Sequence, residues 1–349
     1  MGNDIADYNN DGQPDLITVD MLPPDEKTLK TYGSDESPDI YKYKLTDFGF
    51  QHQYSKNCLQ RNNGGGSSFS ETALLSGVAA TDWSWAPLFA DFDNDGNKDL
   101  FISSGIVKRP TDMDYIRFVS NLYMKPAATR TDEYDNLALN QMPDGSSHPF
   151  LFKGSGNLSF TDMSESWGSK KLKGYFNGAS YADFDNDGNL DLVMNCINAP
   201  AVVLRNNASG NHAVSVSFKG KGLNTIGIGT KAWVFQKDKM QYQQLMLTRG
   251  FQSSTEARLH FGLGDAAMID SILIVWPDQK WQVIKNIPAD TSIVFNQKDA
   301  AQNFVYAEHF NNSPGLFANE TDVIRCDWKH KENDFIDFKR EPLIPYKCS

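Results

Sequence analysis

One acidic segment recurs three times in the chain, and its side chains have the spacing of a cation-binding loop. Each copy follows the pattern Ala-Asp-aromatic-[Asp/Asn]-Asn-Asp-Gly-x-x-Asp-Leu. Oxygen-bearing side chains occupy the first, third, fifth and ninth loop positions, and the glycine at the sixth permits a sharp turn. Hard cations such as Ca²⁺ take about six to eight oxygen ligands, so the sequence predicts up to three Ca²⁺ sites. The predicted ligands are Asp7, Asn9, Asp11 and Asp15 in loop 1, Asp91, Asp93, Asp95 and Asp99 in loop 2, and Asp183, Asp185, Asp187 and Asp191 in loop 3.

Two other structures can produce a segment rich in Asp and Gly. A lone copy is compatible with an ordinary turn, but three copies that keep the ninth aspartate favour a metal site. An EF-hand needs a glutamate at the twelfth loop position and a helix on each side, whereas Thr18, Ile102 and Met194 stand there. Loop 1 is the weakest candidate because Asn9 replaces an aspartate and Pro14 stiffens the exit. Mg²⁺ suits the loops less well than Ca²⁺, since it prefers a small octahedral site and keeps its waters.

The segments around the loops have the character of short strands. Residues 16–19, 100–103 and 192–195 are β-branched or aromatic runs that follow the three loops. A second repeated element, Arg-Asn-Asn, occurs within residues 59–63 and 203–207. A repeated unit of several short strands is typical of a β-propeller blade. The sequence therefore predicts an all-β fold with partial propeller blades over residues 1–210.

Two insertions interrupt the predicted blades. Residues 20–57 are polar and are expected to be irregular. Residues 111–148 are expected to hold one helix, because apolar residues recur there near helical spacing and Asp112 stands where an N-cap is needed. After the blades, residues 211–298 lack an acidic loop and alternate like short strands between glycines. That segment is predicted to be a small second all-β domain.

These motifs carry a resemblance to two known families. The acidic loops resemble FG-GAP/VCBS repeats, the blade units of integrin-α-like propellers. Residues 226–231, 249–253, 260–264 and 275–278 resemble the ASPIC/UnbV domain of cartilage acidic protein and many bacterial surface proteins. The resemblance implies Ca²⁺ at the loop residues and an extracellular, periplasmic or outer-surface location. It implies no known reaction.

The resemblance also bears on the extent of the protein. Propellers typically close with about four to eight blades, and three loops are visible here. Residues 299–349 resemble the start of a further propeller segment. We therefore expect the chain to be a fragment of a larger protein whose remaining blades are its partners, and no signal peptide is expected within this segment.

Composition excludes several functional classes. The chain has 349 residues, with 33 basic and 44 acidic side chains and therefore a net charge of -11. This negative charge argues against nucleic acid as a partner, because the phosphate backbone is also negative. No apolar run approaches the roughly 18 residues of a membrane span. The four cysteines are widely spaced without a CxxC pair, so isolated thiols are expected. The loop ligands include eleven aspartates, a number that equals the net negative charge.

Three functions are compatible with this pattern. The leading hypothesis is a Ca²⁺-binding extracellular or cell-surface propeller scaffold that binds protein or glycan. The alternative is a polysaccharide-acting enzyme, a lyase or hydrolase, whose paired acids would come from Asp112, Asp114, Asp132 and Glu133. The third is a purely structural part of a larger surface protein. No HExxH, GxSxG or Walker A motif is present to favour catalysis.

Some single residues admit both a structural and a functional interpretation. Trp83, Trp85 and Trp167 could form a carbohydrate platform, although blade core is the favoured interpretation. His260 is expected to be a hydrogen-bonded structural histidine. Arg249 and Arg258 are expected to be solvated surface residues, and the alternative is that they line a functional site.

Overall fold

The computed structural model describes residues 1–33, 38–124 and 132–310, together with residues 324, 328, 329 and 331. Met1–Phe304 form one compact unit, and a second unit begins at Val305. Within the second unit the described residues include one short helix, Tyr306–His309. Most of the predicted further propeller segment, residues 299–349, lies outside the described residues.

The N-terminal region contains three antiparallel sheets that correspond to propeller blades and, apart from them, a two-stranded sheet of β8 and β9. Its strands are β1 (Asn3–Ala6), β2 (Asp15–Thr18), β3 (Met21–Leu22), β4 (Cys58–Asn62), β5 (Phe69–Glu71), β6 (Asp82–Ala90), β7 (Asp99–Ser104), β8 (Ile106–Lys108), β9 (Asp144–Gly145), β10 (Phe150–Gly154), β11 (Phe160–Asp162), β12 (Phe176–Ala182), β13 (Asp191–Cys196) and β14 (Val202–Leu204). Blade 1 has the order β1-β2-β4-β5, blade 2 the order β11-β10-β7-β6-β3, and blade 3 the order β12-β13-β14. Strand β6 packs between β1 and β12, so the blades lie side by side as in a propeller.

Blade 2 is buried on both faces, and its strand β7 shows why. Successive side chains of a strand point to opposite faces. Leu100 and Ile102 join a core cluster with Ile17 and Leu59 of blade 1. Phe101, between them, joins the opposite cluster with residues of blade 3. The predicted all-β fold with propeller blades is confirmed, and the continuous apolar run in β7 follows from its burial on both sides.

The insertions contain more helix than the sequence predicts. Their helices are α1 (Glu26–Thr31), α2 (Pro38–Asp47), α3 (Met113–Tyr123) and α4 (Asp132–Gln141). The expectation of an irregular segment at 20–57 was therefore wrong, as was the expectation of a single helix at 111–148. Asp25 caps α1 by accepting from Thr28 N at 2.8 Å, a local polar signal that apolar periodicity does not detect. The predicted cap of α3 is confirmed, since Asp112 accepts from Tyr115 N at 2.9 Å.

The second module is built from two packed sheets and a separate two-stranded sheet of β18 and β19. Its strands are β15 (His212–Lys219), β16 (Lys231–Gln236), β17 (Lys239–Gln244), β18 (Thr248–Arg249), β19 (Ser253–Ser254), β20 (Arg258–Gly264), β21 (Met268–Val275), β22 (Lys280–Pro288), β23 (Thr291–Asn296) and β24 (Gln302–Asn303). One sheet has the order β20-β15-β23 and the other the order β17-β16-β21-β22-β24. Strands β15 and β23 are parallel, and the remaining pairs in both sheets are antiparallel. Val216, Phe261, Ile274 and Trp276 are fully buried in the core of this module.

Candidate metal sites

Each acidic loop joins two neighbouring antiparallel strands of a blade, and the register is the same in all three blades. The last residue of one strand pairs with the ninth loop residue, as Ala6 with Asp15, Ala90 with Asp99, and Ala182 with Asp191. Positive φ angles occur at the fourth and sixth positions of every loop. The residues concerned are Asn10, Asn94 and Asn186 at 58°, 58° and 59°, and Gly12, Gly96 and Gly188 at 82°, 91° and 88°. Asparagine and glycine are the residues that adopt this conformation most readily, which explains their place in the repeat.

The first aspartate of each loop is held by the loop backbone. The carboxylate of Asp91 accepts from Asp95 N at 3.1 Å and from Gly96 N at 2.8 Å. The equivalent bonds to Asp7 are 3.0 and 2.8 Å long, and those to Asp183 are 3.1 and 3.0 Å long. These bonds orient the carboxylate toward the inside of the turn. The repeat thus fixes the shape of the loop through its own side chains.

The ninth aspartate connects each loop to the next strand of its blade. Asp99 accepts from Phe92 N and Gly154 N, both at 2.9 Å. Asp15 accepts from Tyr8 N and Asn62 N, and Asp191 accepts from Phe184 N and Asn206 N. The Arg-Asn-Asn element noted in the sequence therefore has a function. Its first asparagine supplies the N–H that the ninth aspartate binds in blades 1 and 3.

Loops 2 and 3 bring three carboxylates close enough to share one ion. In loop 2, oxygens of Asp91, Asp93 and Asp99 all lie within 4.8 Å of one another. Oxygens of Asp183, Asp185 and Asp191 do the same in loop 3. Oxygen atoms on one Ca²⁺ lie about 2.3–2.6 Å from it, so two of them are at most about 5 Å apart. The donor sets of these two loops fit a hard divalent cation.

Loop 1 does not form a comparable cluster of three carboxylates among the described residues. Its third position is Asn9, whose amide donates to Asp11 at 2.9 Å. An asparagine oxygen can bind Ca²⁺, but it carries no charge. The role of loop 1 as a Ca²⁺ site therefore remains a prediction from the sequence, with Asp7, Asn9, Asp11 and Asp15 as its predicted ligands.

The fifth aspartate of loops 2 and 3 lies outside the three-carboxylate clusters and faces a basic residue. Lys153 binds both Asp93 and Asp95, the latter at 2.6 Å. Arg205 lies 2.8 Å from Asp185 and 3.6 Å from Asp187. Both basic residues directly precede the residue that binds the ninth aspartate. Arg205 belongs to the Arg-Asn-Asn element that the sequence analysis noted. Its pairing with the aspartates of loop 3 can be recognised only in the folded blade, where the strands lie side by side.

Burial disfavours ionisation of the first and ninth aspartates of loops 1 and 2. Desolvation raises the pKa of Asp91 from 3.8 to about 7, although the charge of Lys98 opposes the shift. Burial also raises the pKa of Asp7 to about 7 and that of Asp15 to about 6. The pKa of Asp99 is raised well above its ordinary value by burial and by the nearby charges of Asp91 and Asp93. A divalent cation favours the ionised forms and so relieves this penalty.

The second module covers loop 2. Nε2 of His260 lies 2.6 Å from Asn94 Oδ1, and Gly264 N donates to Asn94 O at 2.8 Å. A Cβ placed on Gly262 would lie 2.1 Å from an oxygen of Asp91, so only glycine allows this approach. The expectation of a hydrogen-bonded structural His260 agrees with this contact. Burial lowers its pKa to about 3, which keeps the ring neutral.

Arg249 is a residue that the sequence interpretation misplaced. It is not at the solvated surface, because its guanidinium pairs with Asp4, 245 residues away, at 2.6 and 2.7 Å. It also donates to the hydroxyl of Tyr181 in blade 3. Next to it, Gly250 exchanges two backbone hydrogen bonds with Asn3. Only the tertiary structure could reveal this link between β1 and the second module.

The remaining candidate residues have structural positions. Trp85 donates to Gly105 O at 2.7 Å and packs on Phe251, while Trp167 packs against the core shared by blades 2 and 3. Asp112 caps α3, and Asp114 is exposed on that helix. The side chains of two further acid candidates, Asp132 and Glu133, lie outside the described residues. Arg258 is partly buried and lies 3.5 Å from Glu256.

Comparison with known families agrees with this geometry. The blades and their acidic loops define a β-propeller repeat protein with an appended all-β module. Residues 35–102, which include loop 2, match the family described as FG-GAP-like repeat. Residues 220–302 match the family described as ASPIC and UnbV. The chain therefore carries FG-GAP-like blades followed by an ASPIC/UnbV domain, as the sequence resemblance implied. No curated protein matches the chain.

Proposed function

We propose that this chain is a Ca²⁺-binding β-propeller scaffold that presents a binding surface for glycan or protein. The observation that carries the calcium part is the pair of carboxylate clusters in loops 2 and 3. The same three loop positions converge in two blades, which is unexpected for turns alone. Asp91, Asp93 and Asp99 would hold one ion, and their counterparts in loop 3 a second.

The bound ion would act as a structural element. Ca²⁺ supplies positive charge where several carboxylates meet, and binding to the folded state alone stabilises it by linkage. The ninth aspartate already holds the next strand, so an ion at that carboxylate would tie three strands of a blade together. In blade 2 these are β6, β7 and β10.

Thermal unfolding with and without chelator tests this proposal. We expect EGTA to lower the Tm by several degrees, and we expect isothermal titration to give at least two sites per chain. Asp93→Asn in loop 2 should remove one site, whereas Asp238→Asn, at an exposed residue on the β16–β17 turn, should remove none. An unchanged Tm together with no measurable Ca²⁺ binding would reject the calcium role.

The ligand-binding part of the proposal concerns a groove between blades 2 and 3. This cavity of about 500 Å³ is lined by Trp167, Arg205, Asn207 and Leu151, among others. A partly exposed indole beside hydrogen-bonding side chains is suited to stack on a sugar ring. Trp167→Ala should abolish binding on a glycan array, while Trp281→Ala in the second module should not. Retained glycan binding by Trp167→Ala would place the ligand elsewhere.

We further propose an extracellular, periplasmic or outer-surface location. The family resemblance supports it, and extracellular Ca²⁺-binding modules work at high Ca²⁺ concentration with weak sites. No described helix is long and apolar enough to cross a membrane. Fractionation of cells that express the native protein, followed by detection with an antibody, tests the location. Recovery only from the cytoplasm would contradict it.

A further inference from the structure

A second cavity lies where blades 1, 2 and 3 meet the second module, and it is distinct from the groove at Trp167. Its volume is about 250 Å³. Strand β1 contributes Asp4 and Ile5, loop 2 contributes Lys98, and the second module contributes Arg249 and His260. The cavity therefore exists only because three parts of the chain come together.

Lys98 is the unusual member of this lining. It is 4% exposed, yet its ammonium group has no hydrogen bond or ion pair with any described residue. Its Nζ lies 6.0 Å from the centroid of the Phe261 ring, at the outer limit of a cation–π contact. Burial removes most of the solvation that water gives an ammonium and lowers the pKa of Lys98, whereas the charges of Asp91, Asp7 and Asp99 oppose this shift.

The neighbouring acids do not accept a hydrogen bond from Lys98. The oxygens of Asp91 accept from the backbone of loop 2, at Asp95 N and Gly96 N. Both oxygens of Asp4 are bound to Arg249. The oxygens of Asp7 accept from the backbone of loop 1. Each acid in the lining therefore has hydrogen-bond partners of its own, and Lys98 interacts with Asp91 and Asp7 only through their charges.

The surroundings supply further polar contacts. Asn94 uses its amide N to donate to Gly188 O and Asn189, so its Oδ1 must accept from His260 Nε2. The neutral ring of His260 then keeps Nδ1 as an acceptor for a hydroxyl or other donor. Tyr181 and Tyr242 add aromatic surface to the lining.

The cavity is open on one side. Two residues of its lining, Ile5 and Met246, are 60% and 51% exposed, whereas Lys98 and His260 are buried. A ligand could therefore enter between two exposed apolar side chains and reach the ammonium at depth. The volume corresponds to about eight water molecules at roughly 30 Å³ each, which limits the ligand to a small molecule or one residue of a chain.

We propose that this cavity binds a small carboxylate, with the ammonium of Lys98 as its counter-ion. A carboxylate supplies the acceptor oxygens that Lys98 lacks, and the charge-assisted hydrogen bond would be strong in a buried site. Two sources share this chemistry, namely a hydroxylated sugar acid and a plain organic acid. The competing role for Lys98 is that of a distant counter-charge to the loop carboxylates, which requires no ligand.

Calorimetric titration and Tm measurements on the whole chain distinguish these roles. The probes are sodium glucuronate, sodium succinate, glucose and inorganic phosphate, each in Ca²⁺ and again in EGTA. We expect at least one carboxylate to bind and to raise the Tm by a few degrees at saturation, and glucose not to bind. Glucuronate without succinate identifies a sugar acid, and the reverse result identifies a plain acid. Binding of phosphate alone, or of no probe, overturns the proposal.

Three variants locate the site. Lys98→Met should weaken carboxylate binding at least tenfold, while Lys219→Met, at an exposed lysine of the second module, should leave it unchanged. Met246→Trp narrows the mouth at an exposed residue and should weaken binding severalfold without affecting folding, so it decides the matter if Lys98→Met does not fold. Undiminished binding in both Lys98→Met and Met246→Trp would place the carboxylate outside this cavity. Carboxylate binding that persists in EGTA would show that this site does not depend on bound Ca²⁺, so the carboxylate proposal would stand even if the calcium proposal failed.

Discussion

Loops 2 and 3 have almost the same sequence but different surroundings. Both read Ala-Asp-Phe-Asp-Asn-Asp-Gly-Asn, and both form a cluster of three carboxylates. The second module covers loop 2, where Asp91 is 1% exposed. Residues 184–187 of loop 3 are exposed. The comparison separates what a loop does by its own sequence from what its neighbours add.

The difference shows that ligand geometry and ligand energetics have separate origins. The hydrogen bonds from the fifth and sixth residues to the first aspartate are the same in both loops. Burial then raises the pKa of Asp91 to about 7. We infer that loop 2 depends more strongly on a cation than loop 3, because its carboxylates have less water to stabilise their charge.

The largest expected effect comes from the ninth aspartates. Asp99→Ala leaves two buried N–H groups, at Phe92 and Gly154, without an acceptor. We expect a loss of about 4 kcal/mol in the free energy of unfolding, since each unsatisfied buried group costs roughly 1–3 kcal/mol. Asp191→Ala should cost only about 2 kcal/mol, because water reaches its partners more easily. Urea unfolding in EGTA measures both, and equal losses would show that burial does not distinguish the loops.

The pH dependence of the calcium-free protein should reveal the buried carboxyl of loop 2. Between pH 4 and about 7, folded Asp91 keeps a proton that the unfolded chain has lost, since its pKa is raised from 3.8 to about 7. Stability should therefore fall as the pH rises through this range, by between about 2 and 4 kcal/mol, and level off above it. Asp91→Asn should make this fall less steep without removing it, because the pKa values of Asp7, Asp15 and Asp99 are also raised by burial. Asp238→Asn should leave the profile unchanged. A stability that rises steadily from pH 4 to 7 in EGTA, unchanged by Asp91→Asn, would contradict the expectation.

The contact between the second module and loop 2 can be broken at one glycine. The Cβ of Gly262→Ala would lie 2.1 Å from an oxygen of Asp91 and 2.6 Å from the backbone of Asn94. We expect a loss of about 2 kcal/mol from this overpacking and weaker Ca²⁺ binding at loop 2.

The matched variant Ser253→Ala lies at the contact of the same module with blade 3, where its hydroxyl is close to Gly178. It removes an atom instead of adding one, and we expect little change in Ca²⁺ binding. Titration with Ca²⁺ that finds both loops unaffected in Gly262→Ala would show that loop 2 does not sense the second module.

The smallest effect is expected from the basic partners of the loops. Lys153→Met should lower the stability of the calcium-free protein by less than about 1 kcal/mol, as is usual for partly exposed ion pairs. It should also raise the Ca²⁺ affinity of loop 2 severalfold, because Lys153 competes for Asp93 and Asp95. Arg205→Met should change loop 3 less, since the arginine is 65% exposed against 35% for Lys153. A larger gain in loop 3 would reverse this part of the comparison.

The sequence predicted the repeated features of the fold and missed the unique ones. The blades could be recognised because one loop sequence occurs three times, and a recurring sequence indicates a recurring structural unit. Helices α1 and α2 occur once and are polar, so their pattern gave no apolar period to recognise. The partly buried side chain of Arg249 was mistaken for a surface residue, since nothing near it in the sequence indicates its partner Asp4.

The sequence by itself determined the ligand types, their spacing and the turn that presents them, since all of these lie within nine consecutive residues of each loop. Only the tertiary structure decided which loop is buried, which basic residue faces it, and that Lys98 lines a cavity with no hydrogen bond to a described residue. The physical reason is that burial and charge pairing depend on residues far apart in the chain. Lys153 meets Asp93 across 60 residues and His260 meets Asn94 across 166, and no local pattern encodes such contacts.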